Sequence, residues 1–545
     1  MRADAKPGSS FVRYWRGDIM AHYGKRRQFR QGGTLASALA ILYAVPAPAQ
    51  DADPDHTLKA LAERLDRLEA ENRELRARIE EGSIAPVRQP STPMTLADDG
   101  NASASLSASG EVVTERDDPA EMQVAGSENF IGTNTEYAYR MLDHAESITT
   151  KPLIQLAALR AGELEDRVTV AAGVTVLADW QKSSVDDKFA YLMRHPTGAN
   201  QVGGNVSEAV VHAANLAVTG RLTDTITGYF EILYDPQQSF GPGTITALTR
   251  NQVQMRRAWV MFGNPDRTPF YALIGKMDTP FGLNDTVSPF TNSTNWHSFA
   301  GLAYGAQAGY LTDNLLVRAM AIQGGSQFRA ANTSVNGTNV PSRLNNFAAD
   351  ARYTFSLPGN ENALMIGGSW EKGSPYCQQY PVFHFNPCEE NNPAIAAYGR
   401  LDYGSFRLIG EYAQTLKEWP GSAVPDPTNE LSQYEAVKTR SFTAGARFGF
   451  GADSLSPQDR EFAVSAEFSK FIAGDDGAPW ERQNQSVLGF SWFPAASANL
   501  FIEYIHVDGF VPLNFLSGGN FPDGSTWSEQ GVNTDVLLVG AQVAF

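Results

Sequence analysis

The part of the chain from Val168 onward consists of segments about ten residues long in which apolar and polar residues alternate. Links of a few residues largely alternate with long links rich in Gly, Asn, Pro and Ser. Bacterial transmembrane β-barrels have an even number of strands and alternate short turns with long loops, whereas a soluble sandwich or propeller does not predict that alternation. The pattern predicts an all-β membrane protein with a 16-stranded antiparallel transmembrane β-barrel over residues 168–545. The strands are expected near residues 168–181, 206–220, 226–235, 252–263, 268–277, 303–311, 314–323, 346–356, 363–372, 394–403, 405–414, 438–449, 461–470, 483–493, 499–507 and 535–545.

The last segment places its apolar residues on one face: Leu537, Val539, Ala541, Val543 and Phe545. A strand with one apolar face and a final aromatic residue suits the outer wall of a barrel. It resembles the terminal signal by which Gram-negative outer-membrane barrels are recognised, which implies contact with the barrel-assembly machinery and with outer-membrane lipid. Aromatic residues near segment ends are expected to form interfacial girdles: Trp180, Tyr229, Trp259, Tyr271, Tyr310, Tyr353, Trp370, Tyr412, Trp492 and Tyr504.

The N-terminal residues 1–49 have the three parts of a secretory signal peptide, with Met20 as an alternative start. A basic region that includes Lys25, Arg26 and Arg27 precedes an apolar run at 34–45 and a small-residue site at 47–49. The apolar run is shorter than the roughly 18 residues that a spanning helix needs. We therefore expect export to the outer membrane of a Gram-negative cell.

Residues 57–81 carry apolar residues at steps of three and four, flanked by charged residues. This spacing predicts a short periplasmic coiled coil with Asn72 at a core position. Because an isolated helix of this length is marginal, we expect a homo-oligomer, either a dimer or a trimer. Residues 82–134 have the composition of a disordered linker. Residues 135–167 form a pre-barrel segment that either plugs the barrel or packs on its rim, and the rim is preferred.

The net charge of −17 at pH 7 and the lack of a basic stripe argue against nucleic-acid binding. Cys377 and Cys388 are the two cysteines, and an even number in an exported protein predicts a disulfide that closes a short loop. A metal site with His384 lacks enough ligands in a fixed spacing. No metal or cofactor is expected.

Charged residues on the face opposite the apolar one are candidates for the lining of a pore. Charges are tolerated at membrane depth where they face water or pair with each other, and a barrel of about sixteen strands is wide enough for an aqueous channel. Six basic and six acidic residues do not predict strong ion selectivity. The candidates are Glu231, Arg256, Lys276, Arg318, Asp350, Arg352, Glu371, Arg407, Glu411, Arg447, Glu467 and Glu503.

The stretch 269–282, with sequence PFYALIGKMDTPFG, is followed by residues 296–301 and by Tyr304-Gly305-Ala306. Together they resemble the LbtU family of siderophore porins, and so does the order of coiled coil, linker and 16-stranded barrel. The resemblance implies passive, TonB-independent uptake of a small-molecule solute, a ferric siderophore complex. Strand ends of this kind also occur in phosphate-selective and related porins, so a general or anion-preferring diffusion porin is the alternative.

Other functions find less support in the sequence. A TonB-dependent transporter would have 22 strands and its own globular plug. An outer-membrane enzyme would need a nucleophile with a histidine base; His506 follows Glu503, but no Ser or Asp neighbour is fixed. A structural tether or adhesin is a further alternative. We therefore expect no enzyme activity.

Overall fold

The computed structural model describes residues 130–142, 148–186, 188–193, 203–234, 253–324, 343–359, 362–377, 390–419, 435–452, 460–478, 480–511 and 529–545. Sixteen antiparallel strands pair in chain order, and the last strand pairs with the first, so the barrel is closed. Its strands are β2 (Val168–Ser183), β3 (Asn205–Arg221), β4 (Ile226–Tyr234), β5 (Val253–Gly263), β6 (Phe270–Asp278), β7 (Leu302–Leu311), β8 (Leu315–Gln323), β9 (Leu344–Ser356), β10 (Ala363–Glu371), β11 (Ala394–Tyr403), β12 (Phe406–Thr415), β13 (Arg440–Phe450), β14 (Phe462–Ile472), β15 (Arg482–Ala495), β16 (Ala498–Val511) and β17 (Glu529–Ala544). The predicted 16-stranded barrel is confirmed.

The two ends of the barrel differ in their connections. The links β3–β4, β5–β6, β7–β8, β9–β10, β11–β12 and β15–β16 are short turns, and together with the longer link β13–β14 they define the short-turn end. The other links define the long-link end. A short strand, β1 (Ile131–Thr133), pairs in parallel with the first residues of β2 at the short-turn end. Next to it, the backbone of Phe545 exchanges hydrogen bonds of 2.8 and 2.9 Å with Ala172.

The outer wall of the barrel is apolar. Leu537, Val539 and Val543 of β17 are exposed there together with Phe545, which confirms the face predicted for the last strand. Exposed aromatic side chains lie towards both ends of the strands, as expected for interfacial girdles. At the short-turn end they include Phe262, Phe270, Tyr353, Phe355, Tyr403, Phe406, Phe448 and Trp492. Towards the long-link end lie Trp180, Trp370, Tyr412 and Tyr504.

Three aromatic residues expected in the girdles face the lumen instead. Tyr229, Trp259 and Tyr271 are 3 to 5% exposed and belong to an internal apolar cluster. The rings of Tyr229 and Trp259 stack with centroids 4.5 Å apart. Position near a strand end fixes the depth of a side chain but not its face, since face depends on the exact phase of the alternation.

Three helices complete the described chain: α1 (Thr135–Met141), α2 (Lys151–Arg160), which follows a 3-10 turn at Ile148–Thr150, and α3 (Thr294–Phe299). Asn134 starts α1 because its side-chain oxygen accepts from the N–H of Tyr137 at 2.9 Å. Within the described residues, every helix is too short or too polar to cross a membrane.

Residues 130–142 and 148–166 are here named the N-terminal insert, and its helices α1 and α2 lie inside the barrel. Tyr137, Met141, Leu153 and Ile154 are almost fully buried in one cluster with lumen-facing residues of the wall such as Met261. The preferred expectation, packing on the rim, is wrong for most of α1 and α2, because their apolar side chains gain from burial against the wall. At the end of α2, Arg160 still reaches Asp266 and Asp313 of the short-turn links. β1 also shows that the predicted linker ends before residue 134.

Several predictions concern residues outside the described ranges. These are the signal peptide at 1–49, the coiled coil at 57–81 and the linker up to residue 129. Cys388 lies outside them too. Cys377 is described and is 3% exposed, and its disulfide with Cys388 stays a prediction.

Candidate functional site: the barrel lumen

The link between β6 and β7, residues 279–301, folds into the lumen and is here named the lumen loop. Nearly all of its side chains are buried, including Phe281, Phe290 and Trp296. It contains α3, whose N-terminus is capped by Ser293, and α3 packs on β12, β13, β14 and β15. The loop therefore occupies the part of the lumen that these strands enclose.

Three glutamates on alternate strands hold the lumen loop by its backbone. Glu411 on β12 accepts from the N–H groups of Leu283 and Asn284, both at 2.8 Å. Glu467 on β14 accepts from the N–H of Val287 at 3.0 Å and from a threonine hydroxyl at 2.8 Å. Glu503 on β16 accepts from two further N–H groups of the loop at 2.7 and 3.0 Å and from the hydroxyl of Thr291. These side chains, here named the glutamate row, are predicted pore-lining residues, but they anchor the loop.

Two glycines on the strands between these glutamates let the loop approach the wall. A Cβ atom on Gly445 of β13 would lie 2.5 Å from Val287 Cγ2, and one on Gly489 of β15 would lie 2.3 Å from Pro289 Cδ. Real Cβ atoms do not approach so closely, so larger residues at these positions would push the loop away. Glutamate and glycine thus alternate from β12 to β16 beneath the loop.

A link at the long-link end adds another contact to the lumen loop. The hydroxyl of Tyr376, which follows β10, donates to the carbonyl of Ser298 at 2.9 Å. Burial raises the pKa of the Tyr376 phenol well above its ordinary value, so this hydroxyl keeps its proton at neutral pH.

The N-terminal insert occupies the side of the lumen enclosed by β2 to β9. The amide of Gln155 donates to the hydroxyl of Thr227 at 2.8 Å and accepts from the indole of Trp259 at 2.8 Å. Tyr137 and Thr219 share a hydrogen bond of 2.9 Å between their hydroxyls. These buried polar contacts fix the insert in one position, because each lost partner would leave a buried polar group unpaired.

The insert and the lumen loop meet at Thr149. Its hydroxyl donates to the carbonyl of Leu283 at 3.0 Å, and its own carbonyl accepts from Arg318 Nη1 at 2.9 Å. Arg318 Nε donates to Asp350 at 2.9 Å, and Asp350 accepts from Ser369. Arg318 and Asp350, both predicted to line the pore, face the lumen. Arg318 holds the insert, and Asp350 reaches the lumen loop through Ser369, whose hydroxyl accepts from the N–H of Gly282 at 2.9 Å.

Glu231 belongs to a buried ionic cluster that sequence analysis found only in part. Arg257 donates to Glu231 at 3.0 Å and to both oxygens of Asp278 at 2.7 and 3.0 Å. A β-bulge in the pairing of β4 with β5 leaves Arg256 as an extra residue, so Arg256 and Arg257 are both buried. A bulge shifts the two-residue period, which is why the alternation indicated Arg256 alone.

Lys276 is not a lining residue. It pairs with Ala258 and Tyr304 on the neighbouring strands, in phase with the exposed Phe270 and Ile274 on the outer face of the barrel. Its ammonium donates to a backbone carbonyl on β5 at 2.9 Å and lies over the ring of Tyr304. The alternation did not reveal the face of β6, because Tyr271, Leu273 and Met277 on the lumen side are apolar as well.

The remaining candidates lie on the inner wall. Glu371 is buried at the long-link end of β10. Arg352, Arg407 and Arg447 lie between the glutamate row and the short-turn end. Sequence analysis missed Arg400 on β11, which shares this region with them.

The structure gives no support to a catalytic or metal site within the described ranges. No group of three potential metal ligands occurs among these residues. His506 pairs with Asp535 at 2.8 Å, near the hydroxyl of Tyr504. All three belong to the outer face of β16 and β17, so they are remote from the lumen.

No known protein family profile matches the chain. A UPF0422 protein of Coxiella burnetii is 26% identical over 273 residues, which are 45% of this chain and 54% of that relative. The chain thus matches about half the length of this curated relative.

Among solved structures, the outer membrane channel DcaP of Acinetobacter baumannii is 13% identical, with a TM-score of 0.42, over 69% of this chain and 97% of its own. The anion-selective porin from Comamonas acidovorans is 12% identical, with a TM-score of 0.42, over 69% and 99%. Pseudomonas putida OprB is 8% identical, with a TM-score of 0.44, over 71% and 96%. At these scores the likenesses carry no functional argument, and the fold rests on the strand pairing described above.

Proposed function

We propose that this protein is a porin-type channel for the passive passage of a small solute across the outer membrane. The observation that carries the proposal is the lumen loop, which folds into a closed barrel and is held there by Glu411, Glu467 and Glu503. A barrel that served only as an anchor would not need a charged inner wall, since buried charges are costly. A loop that narrows a lumen is useful where solutes pass.

Partly exposed charges on the inner wall support a water-filled part of the lumen. Below the glutamate row, Arg400 and Asp402 keep 18 and 13% of their side-chain surface exposed, and Arg352 and Arg447 are half-buried. Charged side chains at membrane depth are tolerated where they face water. Solvent that enters at the short-turn end would therefore reach the lumen loop.

The proposed location is the outer membrane, with the short-turn end in the periplasm, as in other bacterial barrels. The apolar outer wall and its aromatic girdles support contact with lipid. The predicted coiled coil at 57–81 would then lie in the periplasm and join two or three copies. Tagging tests this orientation: a tag inserted at 378–386 should be labelled on intact cells, and one placed after residue 81 should not.

For the cargo, we propose a ferric siderophore complex that passes without energy from TonB. The support is the resemblance of residues 269–282, which form β6 and the start of the lumen loop. A bulky complex would need the lumen loop or the N-terminal insert to move, because both lie inside the barrel. A general diffusion porin would pass smaller solutes with no such movement.

The channel itself is tested by planar-bilayer recording of the purified full-length protein. Discrete conductance steps are expected, and a correctly folded barrel that never conducts would contradict the proposal. The cargo is tested by growth of a strain that lacks the protein. That strain should grow normally in iron-rich medium and poorly when a siderophore complex is the sole iron source, also without TonB. Equal slowing for unrelated solutes of similar size would instead indicate a general porin.

A further inference from the structure

Below the glutamate row, the inner wall carries four arginines on neighbouring strands. Arg352 lies on β9, Arg400 on β11, Arg407 on β12 and Arg447 on β13, and we name them the arginine row. Each lies nearer the short-turn end of its strand than the glutamate row does. Two acidic residues face this stretch of β9 to β13 among the described residues: Asp402, and Asp350, which lies next to Arg352 on the inner face of β9.

The charges of the inner wall are thus separated by depth. Arg318 binds Asp350, and Arg257 binds Glu231. The glutamate row is covered by the N–H groups of the lumen loop. The acidic candidates that seemed to balance the basic ones in the sequence are therefore buried and removed from the path of a solute.

Arg352, Arg400 and Arg447 keep part of their surface exposed, whereas Arg407 is buried, and the four side chains are crowded. Arg407 donates to Asp402 at 2.6 Å, and Arg400 lies 3.0 Å from the same carboxylate, so two guanidinium groups share one acid. Arg407 and Arg447 are direct cross-strand neighbours on the inner face. Like charges directly opposite each other destabilise a sheet, so this arrangement is unfavourable for stability alone.

From this separation we infer that the lumen prefers anions, and that the arginine row attracts a solute bearing carboxylate or phosphate groups. The inference rests on the proposed channel and narrows its substrate class. Guanidinium groups suit such solutes because their fork of N–H donors matches the oxygens of both groups. An arginine row at one end of the lumen would concentrate anions next to the lumen loop.

The test is the reversal potential of the full-length protein in a planar bilayer under a KCl gradient. The wild type should favour chloride over potassium. The double variant R352Q/R447Q spares the two arginines that share Asp402, and its anion-to-cation permeability ratio should fall by about threefold for each charge removed. R440Q is the matched control, because Arg440 lies on the same strand as Arg447 but is exposed on the outer face; its ratio should stay at the wild-type value.

A second measurement uses inorganic phosphate. Phosphate added on the side of the short-turn end should reduce the chloride current of the wild type and of R440Q, and reduce it less in R352Q/R447Q. Absence of any conductance would refute the proposed channel itself. A conducting channel without anion preference, or one whose preference survives in R352Q/R447Q, would overturn the inference and leave the channel intact.

Discussion

Removing the acceptors that hold the lumen loop should open the channel. The variant E467A/E503A deletes the acceptors of two donors at Glu467 and of three at Glu503. A hydrogen bond to a charged group contributes about 1.5–3 kcal/mol, so even the low end gives roughly 7 kcal/mol for the set. Water that enters the lumen forms new hydrogen bonds with the loop and so offsets part of this loss of free energy.

We therefore expect a net change of about 3 kcal/mol, which raises the ratio of displaced to seated loop by more than about a hundredfold. The measurement is single-channel recording, in which the variant should spend most of its time in a state of larger conductance. E467Q/E503Q is the matched control, since each glutamine keeps one carbonyl oxygen for the loop, and its effect should be intermediate.

A glycine substitution tests the same reasoning without any change of charge. In G489V the added side chain would occupy the space of Pro289, whose Cδ atom lies 2.3 Å from the Cβ position. Conductance should rise as in the glutamate variant. G410V is its control, because nothing lies within 4 Å of a Cβ atom at Gly410. Heat-dependent mobility on gels confirms that each barrel is folded, and unchanged conductance in folded E467A/E503A would refute the reasoning.

Other changes have separate expected results. R257M should lower the unfolding temperature strongly, because it leaves Glu231 and Asp278 as buried charges without their arginine, a loss of about 3–5 kcal/mol; thermal unfolding in detergent measures it. Deletion of residues 57–81 should change the oligomer size in analytical ultracentrifugation and leave the conductance of each barrel almost unchanged. Cys377 should resist thiol reagents in the native protein until a reductant is added.

The controls for these predictions come from the same chain. R267M removes an exposed pair with Asp224, at 2.7 Å, and surface pairs contribute about 0–1 kcal/mol. An equal effect of R267M and R257M would contradict the importance of burial. Loss of folded barrel on deletion of 57–81 would mean that the coiled coil supports the wall, and immediate labelling of both cysteines would exclude the disulfide.

The barrel could be predicted from the sequence because the alternation that specifies each strand lies within that strand alone. Each strand alternates on its own, so β11 was predicted within the bounds that the structure has, Ala394–Tyr403. Errors arose where the period breaks. The bulge at Arg256 concealed Arg257, and a similar irregularity in the pairing of β2 with β3 leaves His212 as an extra residue.

The contents of the lumen could not be predicted in the same way. The lumen loop has the polar, Asn-rich composition of an outer link, and nothing local distinguishes a loop that folds inward. Its best signal is distributed over other strands: Gly445 stands opposite Glu467 and Gly489 stands opposite Glu503. A repeated pairing of glycine with an inward glutamate leaves both a space and a set of acceptors for a backbone. The position of the N-terminal insert was harder to predict. Its Tyr137 and the Trp259 of the wall that contacts it are aromatic, and tyrosine and tryptophan are also common at membrane interfaces.

The bond between Thr149 and Leu283 makes the two inserted segments energetically dependent on each other. Because the insert and the loop share this contact, and a chain of hydrogen bonds through Arg318, Asp350 and Ser369 links them a second time, displacing either one removes part of what retains the other. Thermodynamic reciprocity then requires that a perturbation of the loop from one side of the membrane alter the affinity of the insert for its place by the same factor as the reverse. A solute that displaces the loop would therefore weaken the hold on the insert, and a partner that binds the insert would alter the hold on the loop, with no movement of the barrel wall.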